Sequence, residues 1–259
     1  MTDRALSFDV VAGQYDSARP GYPPALFDAV EELSGRPLRG SRVIDVGAGT
    51  GIATRLLGAR GAEVIAVEPG PGMAAQLRRT LPDTPLVRAF GDALPIADAS
   101  VDLVTYAQSW HWTDPARSVP EALRVLRPGG ALALWWNVAD PDVPWVAAQE
   151  ERLHLVAGAT AHSPGGRHRE GLPDDLAPLR REPRWTRTVP LDTHLANLGS
   201  HSLFRMLGDD ATAAHLAEER AELLKVFPTG SVEEAYVVEL TVTLRPSVSS
   251  VVGGPSSEG

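Results

Sequence analysis

The chain has 259 residues, a formal net charge of −9 and no cysteine. Disulfides, thiolate metal sites and cysteine nucleophiles are therefore excluded, and the acidic balance argues against a surface that tracks nucleic-acid phosphates. Hydrophobic residues make up 43%, enough for a full core, and the length suits one α/β domain with an elaboration.

No apolar run approaches the roughly 18 residues of a membrane span. Met1-Thr2-Asp3-Arg4 lacks the apolar stretch of a signal peptide, so a cytoplasmic location is expected. The clearest basic cluster, Arg167-His168-Arg169, sits in a polar loop and reads as solvated.

Residues 1–23 read as an N-terminal arm. The stretch Pro24 to Ser34 predicts a helix: proline stands in its first turn, Gly35 follows its end, and Leu26, Phe27, Val30 and Leu33 share one face. Strands are then predicted over 42–46, 63–67, 86–89 and 101–107, and helices over 50–59 and 71–81. A further helix has Asp114 as N-cap and Pro115 at its first position and stops near Leu126. Pro128-Gly129-Gly130 turns the chain into a fifth strand over 131–136. Strands alternating with helices imply a parallel sheet with right-handed crossovers.

The pattern then changes. Residues 139–180 hold an acidic amphipathic helix, roughly 143–156, and a Gly/Pro/His-rich loop over 158–173, read as an insertion before a sixth strand at 184–191. Residues 193–227 are predicted helical, with Asp209 or Asp210 near the start of the last helix. A final strand over 235–244 puts Tyr236, Val238, Leu240, Val242 and Leu244 on one face. The Ser/Gly/Pro-rich tail, 246–259, is expected to be disordered. The division expected is a single domain over 1–245, with an arm and cap helix over 1–35 and the insertion over 139–180.

The chemistry concentrates at Val43-Ile44-Asp45-Val46-Gly47-Ala48-Gly49-Thr50-Gly51, where a short apolar run breaks into glycines before a helix. Glycine lets a ligand approach backbone that a Cβ would shield, and amides at a helix start favour a negative group. The next strand ends at Glu68, whose carboxylate can accept hydrogen bonds from both hydroxyls of a ribose. The dinucleotide fingerprint G-x-G-x-x-G would place its third glycine where Ile52 stands. The spacing here is G-x-G-x-G, with Asp45 two residues before the first glycine. That pattern resembles motif I of the class I S-adenosylmethionine (SAM) methyltransferases, in which the acid lies near the methionine part of the cofactor.

Later segments resemble the same family in order. Val67-Glu68-Pro69-Gly70-Pro71-Gly72-Met73 looks like its second motif, with Glu68 on the ribose, Pro69 beside it and Met73 against the adenine. Phe90-Gly91-Asp92-Ala93 looks like its adenine-binding motif, in which Asp92 accepts from the amino group and the Ala93 amide donates to a ring nitrogen. Gln108 and Ser109 fall where the fourth strand meets the crevice. His111, between two tryptophans, resembles the His-Trp pair of a small-molecule subgroup that includes trans-aconitate-like and ubiquinone-biosynthesis-like enzymes. Tyr15-Asp16-Ser17-Ala18-Arg19-Pro20-Gly21-Tyr22-Pro23 matches that subgroup's Tyr-Asp-x-x-Arg-Pro-x-Tyr-Pro arm. In such an arm Arg19 would pair with the SAM carboxylate and Tyr15 would contribute a hydroxyl.

The resemblance covers about residues 8–138, half the chain. It implies a Rossmann-like seven-stranded α/β methyltransferase fold: a mostly parallel sheet with a late antiparallel strand between the fifth and sixth, plus the arm and helical insertion. It implies Gly47, Ala48, Gly49, Glu68, Pro69, Met73, Asp92, Ala93 and Gln108 around SAM, with S-adenosylhomocysteine (SAH) as product. The acceptor would be a small organic molecule, methylated on oxygen, nitrogen or carbon, and the protein a monomer or weak homodimer. His111 is either a general base or a group that orients the acceptor. Trp135, Trp136 and Trp145 are candidates for an apolar acceptor pocket, and the helix around Trp145 for a lid.

The remaining histidines, at 154, 162, 168, 194, 201 and 215, show no H-E-x-x-H spacing, so no metal site is expected. Other outcomes stay open: a methyltransferase fold turned to cyclisation or decarboxylation, or a SAM-binding protein without catalysis. Nucleic acid is disfavoured as an acceptor by the charge, and because Gln108-Ser109-Trp110-His111 stands where an Asn/Asp-Pro-Pro-Tyr motif would.

Overall fold

A computed structural model describes residues 19–157, 172–173, 176–200, 204 and 207–246. Tyr15 and the rest of the arm before Arg19, the Arg167-His168-Arg169 triplet, most of the 158–173 loop and the tail beyond Pro246 lie outside the described residues. The ordered elements are α1 (Pro24–Ser34), β1 (Arg42–Val46), α2 (Ile52–Ala59), β2 (Glu63–Val67), α3 (Pro71–Thr80), β3 (Leu86–Val87), β4 (Val101–Ala107), α4 (Pro115–Val125) and β5 (Leu126–Ala139). They continue with α5 (Pro144–Ala157), β6 (Leu179–Arg181), β7 (Arg184–Pro190), α6 (Leu191–Gly199), α7 (Asp209–Val226) and β8 (Ser231–Leu244).

The strands form one sheet in the order β3-β2-β1-β4-β5-β8-β6, with β7 also on β8. The pairs from β3 to β5 are parallel, and β8 is antiparallel to β5, β6 and β7. β6 and β7 occupy successive parts of the same β8 edge, Leu240 to Val242 and Ser231 to Val237, so together they form one broken row of a seven-row sheet. The break falls at Glu182-Pro183, and Pro183 lacks the N–H a ladder needs. The late antiparallel strand between the fifth and sixth rows is thus present.

Several boundaries differ from the sequence expectation. β5 runs to Ala139 rather than Trp136, because β8 supplies antiparallel partners as far as Tyr236. Its start includes the Pro128-Gly129-Gly130 turn, where the β4 register shifts between Val101 and Leu103. The expected third strand shortens to two residues. β8 is buried on both faces over most of its length, not on one, because helices cover both sides of a sheet in which it is internal. Leu244, expected on the buried face, is exposed.

The core divides across the sheet. On one face α1 packs through Leu26, Phe27 and Val30 on Val43, Leu103 and Trp135. On the other, Ile44, Tyr106, Trp110 and Trp136 pack with Val119, Ala122 and Val125 of α4. Trp135 and Trp136 therefore serve opposite faces, as strand alternation requires. A third cluster joins α5, α6 and α7 through Leu153, Leu195, Leu198 and Leu223, with Trp145 partly buried against it. Among the described residues no helix is long and apolar enough to cross a membrane.

Asp102, buried at the start of β4, accepts the Arg42 backbone N–H at 2.9 Å and pairs with Arg36 and Arg127 at 3.4 and 2.9 Å. It is a fold clasp between β1 and β4, far from the glycine turn.

A second polar cluster lies inside the C-terminal half. Glu234 is bonded by Arg187 Nε (2.5 Å), His194 Nδ1 (2.7 Å) and the Tyr236 hydroxyl (2.8 Å). Gln149 Nε2 bridges His194 Nε2 and Glu219, which Arg152 holds through both carboxylate oxygens. Burial alone would push the Glu234 carboxyl up, but the bonds from His194, Arg187 and Tyr236 outweigh it and hold the group below its ordinary 4.5.

A depressed carboxyl stabilises the fold fully above its unfolded value, and that contribution is lost as pH falls toward the folded one. Glu234→Gln is therefore expected to lose roughly 3 kcal/mol near pH 7. Its deficit against wild type should shrink as pH falls below about 4.5, checked by urea unfolding across pH.

Candidate active site

At the carboxyl end of β1 the chain turns through Gly47, Ala48 and Gly49. The amides of Gly47 and Ala48 both donate to the Val67 carbonyl, at 2.8 and 3.1 Å, which ties the turn to the end of β2. Gly47 has φ +69°, and a Cβ there would lie 2.4 Å from Ser109 Cβ. Ser109 in turn donates its hydroxyl to the Val46 carbonyl at 2.5 Å. The first glycine is thus demanded by packing against the end of β4. Gly49 differs: its φ is +57°, and a Cβ would meet nothing within 4 Å. The space beside its backbone is open.

Glu68, buried at the tip of β2, accepts the Gly49 N–H at 2.8 Å and the Gly70 N–H at 2.7 Å, one on each oxygen. The carboxylate clamps the two loops that border the crevice. Pro69 follows, its carbonyl accepting two bonds from Arg88, and Met73 is buried on α3.

Asp45 has no exposed surface. One oxygen accepts from Thr54 of α2 at 2.6 Å and the other from Thr105 of β4 at 3.0 Å. Burial pushes its carboxyl up, against the lowering effect of those hydroxyls. Asp45 therefore acts on the crevice through the elements it joins.

The third loop carries Asp92, which faces Arg117 at 3.5 Å, and Ala93, whose amide closes a turn onto the Phe90 carbonyl at 3.2 Å. Gly91 is forced by Tyr106, whose hydroxyl would lie 2.9 Å from a Cβ at that position. Phe90, 43% exposed beside this loop, was not singled out in the sequence, and an unpaired aromatic next to a Gly-Asp turn was the available signal.

At the end of β4, Gln108 has φ +57°, one of three non-glycine residues in the left-handed region among those described. Strained backbone of this kind gathers at functional sites. Its amide N–H bonds the Trp135 carbonyl at 2.9 Å, and Nε2 donates to the Tyr22 hydroxyl at 3.3 Å. Tyr22 stands edge-on to Trp135, centroids 5.9 Å apart. The arm is tied down again at Arg19, whose carbonyl accepts from Arg187 at 3.2 Å.

His111 lies exposed on a single 3₁₀ turn, Trp110–Trp112. Its ring is 4.5 Å from that of Trp112, and Trp136 Nε1 is 3.5 Å from its Nδ1. Trp145 packs against His194 and Phe227 in the helical cluster, away from the glycine turn. Among the described residues no group of three or more His, Asp and Glu side chains could hold a metal ion.

Residues 44–134 match the family model of the methyltransferase domain. Over that segment the chain is similar to known methyltransferases. It is 46% identical over 144 residues to an uncharacterized methyltransferase of Mycobacterium tuberculosis, 56% of this chain and 57% of that protein. It is 35% identical over 154 residues to a demethylmenaquinone methyltransferase of Beutenbergia cavernae, 56% of this chain and 62% of that protein. The matched segments thus span little more than half the length of these curated relatives.

A solved structure from Anaeromyxobacter dehalogenans, described as a candidate type II methyltransferase, superposes over 88% of this chain and 99% of its own at a TM-score of 0.65 and 28% identity. The fold alone is shared with phosphoethanolamine N-methyltransferase 2 of Haemonchus contortus, at a TM-score of 0.54 and 13% identity over 95% of this chain and 59% of that one. That structure holds phosphomonomethylethanolamine and SAH.

The turn can hold a nucleoside ligand, since open space at Gly49 and a fixed carboxylate at Glu68 are what a ribose beside the backbone needs. The two glycines should separate under mutation. Gly47→Ala must displace Ser109 and is expected to cost about 3 kcal/mol of stability. Gly49→Ala should cost only about 1 kcal/mol yet weaken SAH binding at least about tenfold, equivalent to about 1.4 kcal/mol. Urea unfolding and calorimetric titration of each variant measure the two effects.

Proposed function

We propose that this chain transfers a methyl group from SAM to a small organic acceptor. The observation that carries the proposal is the Glu68 clamp on Gly49 and Gly70, which sets a fixed carboxylate beside open backbone at the ligand end of the sheet. In this reading Glu68 holds the ribose hydroxyls, with Gly47, Ala48, Gly49 and Pro69 as the surrounding backbone. Met73, Asp92 and Ala93 face the adenine, and Gln108 and Arg19 face the amino-acid end. Asp45 keeps the turn in place. Bound SAM supplies a methyl group already activated by its sulfonium, so the protein's task is alignment and proton management.

The acceptor would lie beyond the ends of β4 and β5. An acceptor hydroxyl or amine must lose a proton; a carboxylate need not. At 3.5 Å the bond from Trp136 Nε1–H to His111 Nδ1 is long, and it still has a chemical consequence. A neutral imidazole that accepts at Nδ1 carries its proton on Nε2. In that tautomer Nε2 is a donor and not a base, so we assign His111 to orienting the acceptor and not to removing a proton. Support for a small-molecule acceptor comes from the acidic charge and from relatives such as the demethylmenaquinone methyltransferase.

Calorimetry with SAM and SAH on wild type and Glu68→Ala tests the cofactor. Micromolar binding is expected, weakened about 100-fold in the variant, equivalent to about 2.8 kcal/mol. Binding of neither ligand to wild type would overturn the proposal.

Once an acceptor is found by SAH release, His111→Gln should retain most turnover while His111→Ala loses about tenfold, the value of one hydrogen bond. Equal losses in both, with the acidic limb of the pH profile abolished, would make His111 the base instead.

A further inference from the structure

We infer that Asn137 is a recognition residue for the methyl acceptor, its side-chain amide donating to a carbonyl or carboxylate oxygen of that molecule. The inference rests on the methyltransferase reading and adds the chemistry of the second substrate. Asn137 lies on β5 opposite Val238, near the carboxyl ends of the parallel strands, where open α/β sheets bind their ligands. Trp185 of β7 donates its indole N–H to Asn137 Oδ1 at 2.9 Å. An indole nitrogen only donates, so this bond assigns which end of the amide is oxygen and leaves the two N–H groups on Nδ2. Nδ2 is buried and finds no hydrogen-bond partner within the protein.

Two residues earlier, and so on the same face of β5, Trp135 Nε1 is a second buried donor with no partner in the protein. A buried donor left unmatched costs about 1–3 kcal/mol. Two on one strand face, at the ligand end of the sheet, point to an oxygen that comes with a ligand. Both groups are donors only, so they select an acceptor oxygen and reject an ammonium.

The wall around Asn137 is rigid. Trp185 stacks on Tyr236, centroids 5.2 Å apart at 25°. The Tyr236 hydroxyl donates to Glu234, which Arg187 and His194 also hold. Arg187 reaches on to the Arg19 carbonyl, so the arm is tied to the same wall. Trp185 thus acts as a positioning residue, fixing the Asn137 amide before any ligand arrives.

The carboxylate on the amino-acid end of the cofactor has the same chemistry as an acceptor carboxylate, and the test separates the two. The full chain is titrated calorimetrically with SAH and with 5′-methylthioadenosine, which shares the nucleoside but lacks that carboxylate. The SAH-loaded protein is then titrated with acids and their alcohols: benzoate and benzyl alcohol, cinnamate and cinnamyl alcohol, hexanoate and hexanol.

At least one acid should bind wild type about tenfold tighter than its alcohol, the value of one charge-assisted bond. Asn137→Leu should abolish that preference and Asn137→Asp reverse it, with SAH and 5′-methylthioadenosine unchanged. Trp185→Phe, which keeps the stack and drops the N–H, should lose part of the preference while melting near wild type; a purely structural role would not produce that pattern.

The inference is overturned if no acid is preferred over its alcohol by wild type. It is also overturned if Asn137→Leu weakens SAH but not 5′-methylthioadenosine, since the donors would then serve the cofactor. Failure of wild type to bind SAH would overturn the methyltransferase reading itself, a distinct result.

Discussion

The carboxylate of Asp45 is the point on which the crevice depends. It has no exposed surface, and its two oxygens take the hydroxyls of Thr54 and Thr105. Burial opposes its charged form, and the two hydroxyls are the compensation a buried carboxyl requires. Through them β1, α2 and β4 are held at the place where the glycine turn leaves the sheet. Ser109 then fixes the turn from β4 and Glu68 from β2. A segment with four glycines among residues 47 to 58 would otherwise be the softest part of the fold. Bound on three sides, it is instead pre-organised, so little ordering entropy remains to oppose a ligand.

The second constraint is β8. By entering antiparallel beside β5 it makes nine register pairs, from Ala131–Leu244 to Ala139–Tyr236. It then continues past the end of β5 with β7 as its partner. The C-terminal half of the chain is thereby carried over the ligand end of the sheet. Arg187 of β7 meets the Arg19 carbonyl there, and Tyr22 meets Gln108 and Trp135. The arm and the late strands, far apart in sequence, close the same crevice. The buried Glu234 and Glu219 networks sit behind that wall. Removing one partner from such a network leaves an uncompensated buried charge, so the wall behind the crevice depends on every member being present.

What was legible in the chain was local. Strands Arg42–Val46, Glu63–Val67 and Val101–Ala107 stand where their apolar runs and flanking glycines put them. Helix α1 also fits its expectation, since its proline start and Gly35 stop act within one turn. The glycine turn and Glu68 were readable because spacing along the chain sets that geometry.

The extent of β5 was not, because its partners in β8 come from the far end of the sequence. The packing need for Gly47 depends on Ser109, and that of Gly91 on Tyr106, contacts no local pattern encodes. Thr105 offered a faint signal, a hydroxyl within a strand otherwise dominated by apolar residues. Asn137 offered less: its meaning comes from Trp185, across β8 on a neighbouring strand. The parts of a site that read a second substrate are assembled from side chains of several elements. The parts that hold a shared cofactor reuse one short segment.

The alternation of β5 then gives the acceptor end its chemical asymmetry. Trp135 and Asn137 lie on the α1 face, beside Tyr22 and Trp185. Trp136 lies on the α4 face and reaches His111. Adjacent residues of one strand thus support two different walls, one ending in an amide and the other in an imidazole. A one-residue slip of β5 would exchange the faces and lose both. The nine-pair ladder to β8 and the parallel ladder to β4 prevent such a slip. In this arrangement the length of β8, which contributes no atom to the glycine turn, controls the chemistry at the end of β5. An acceptor seated across that end would meet the amide on one side and the histidine on the other. Its orientation would then be set by strand register.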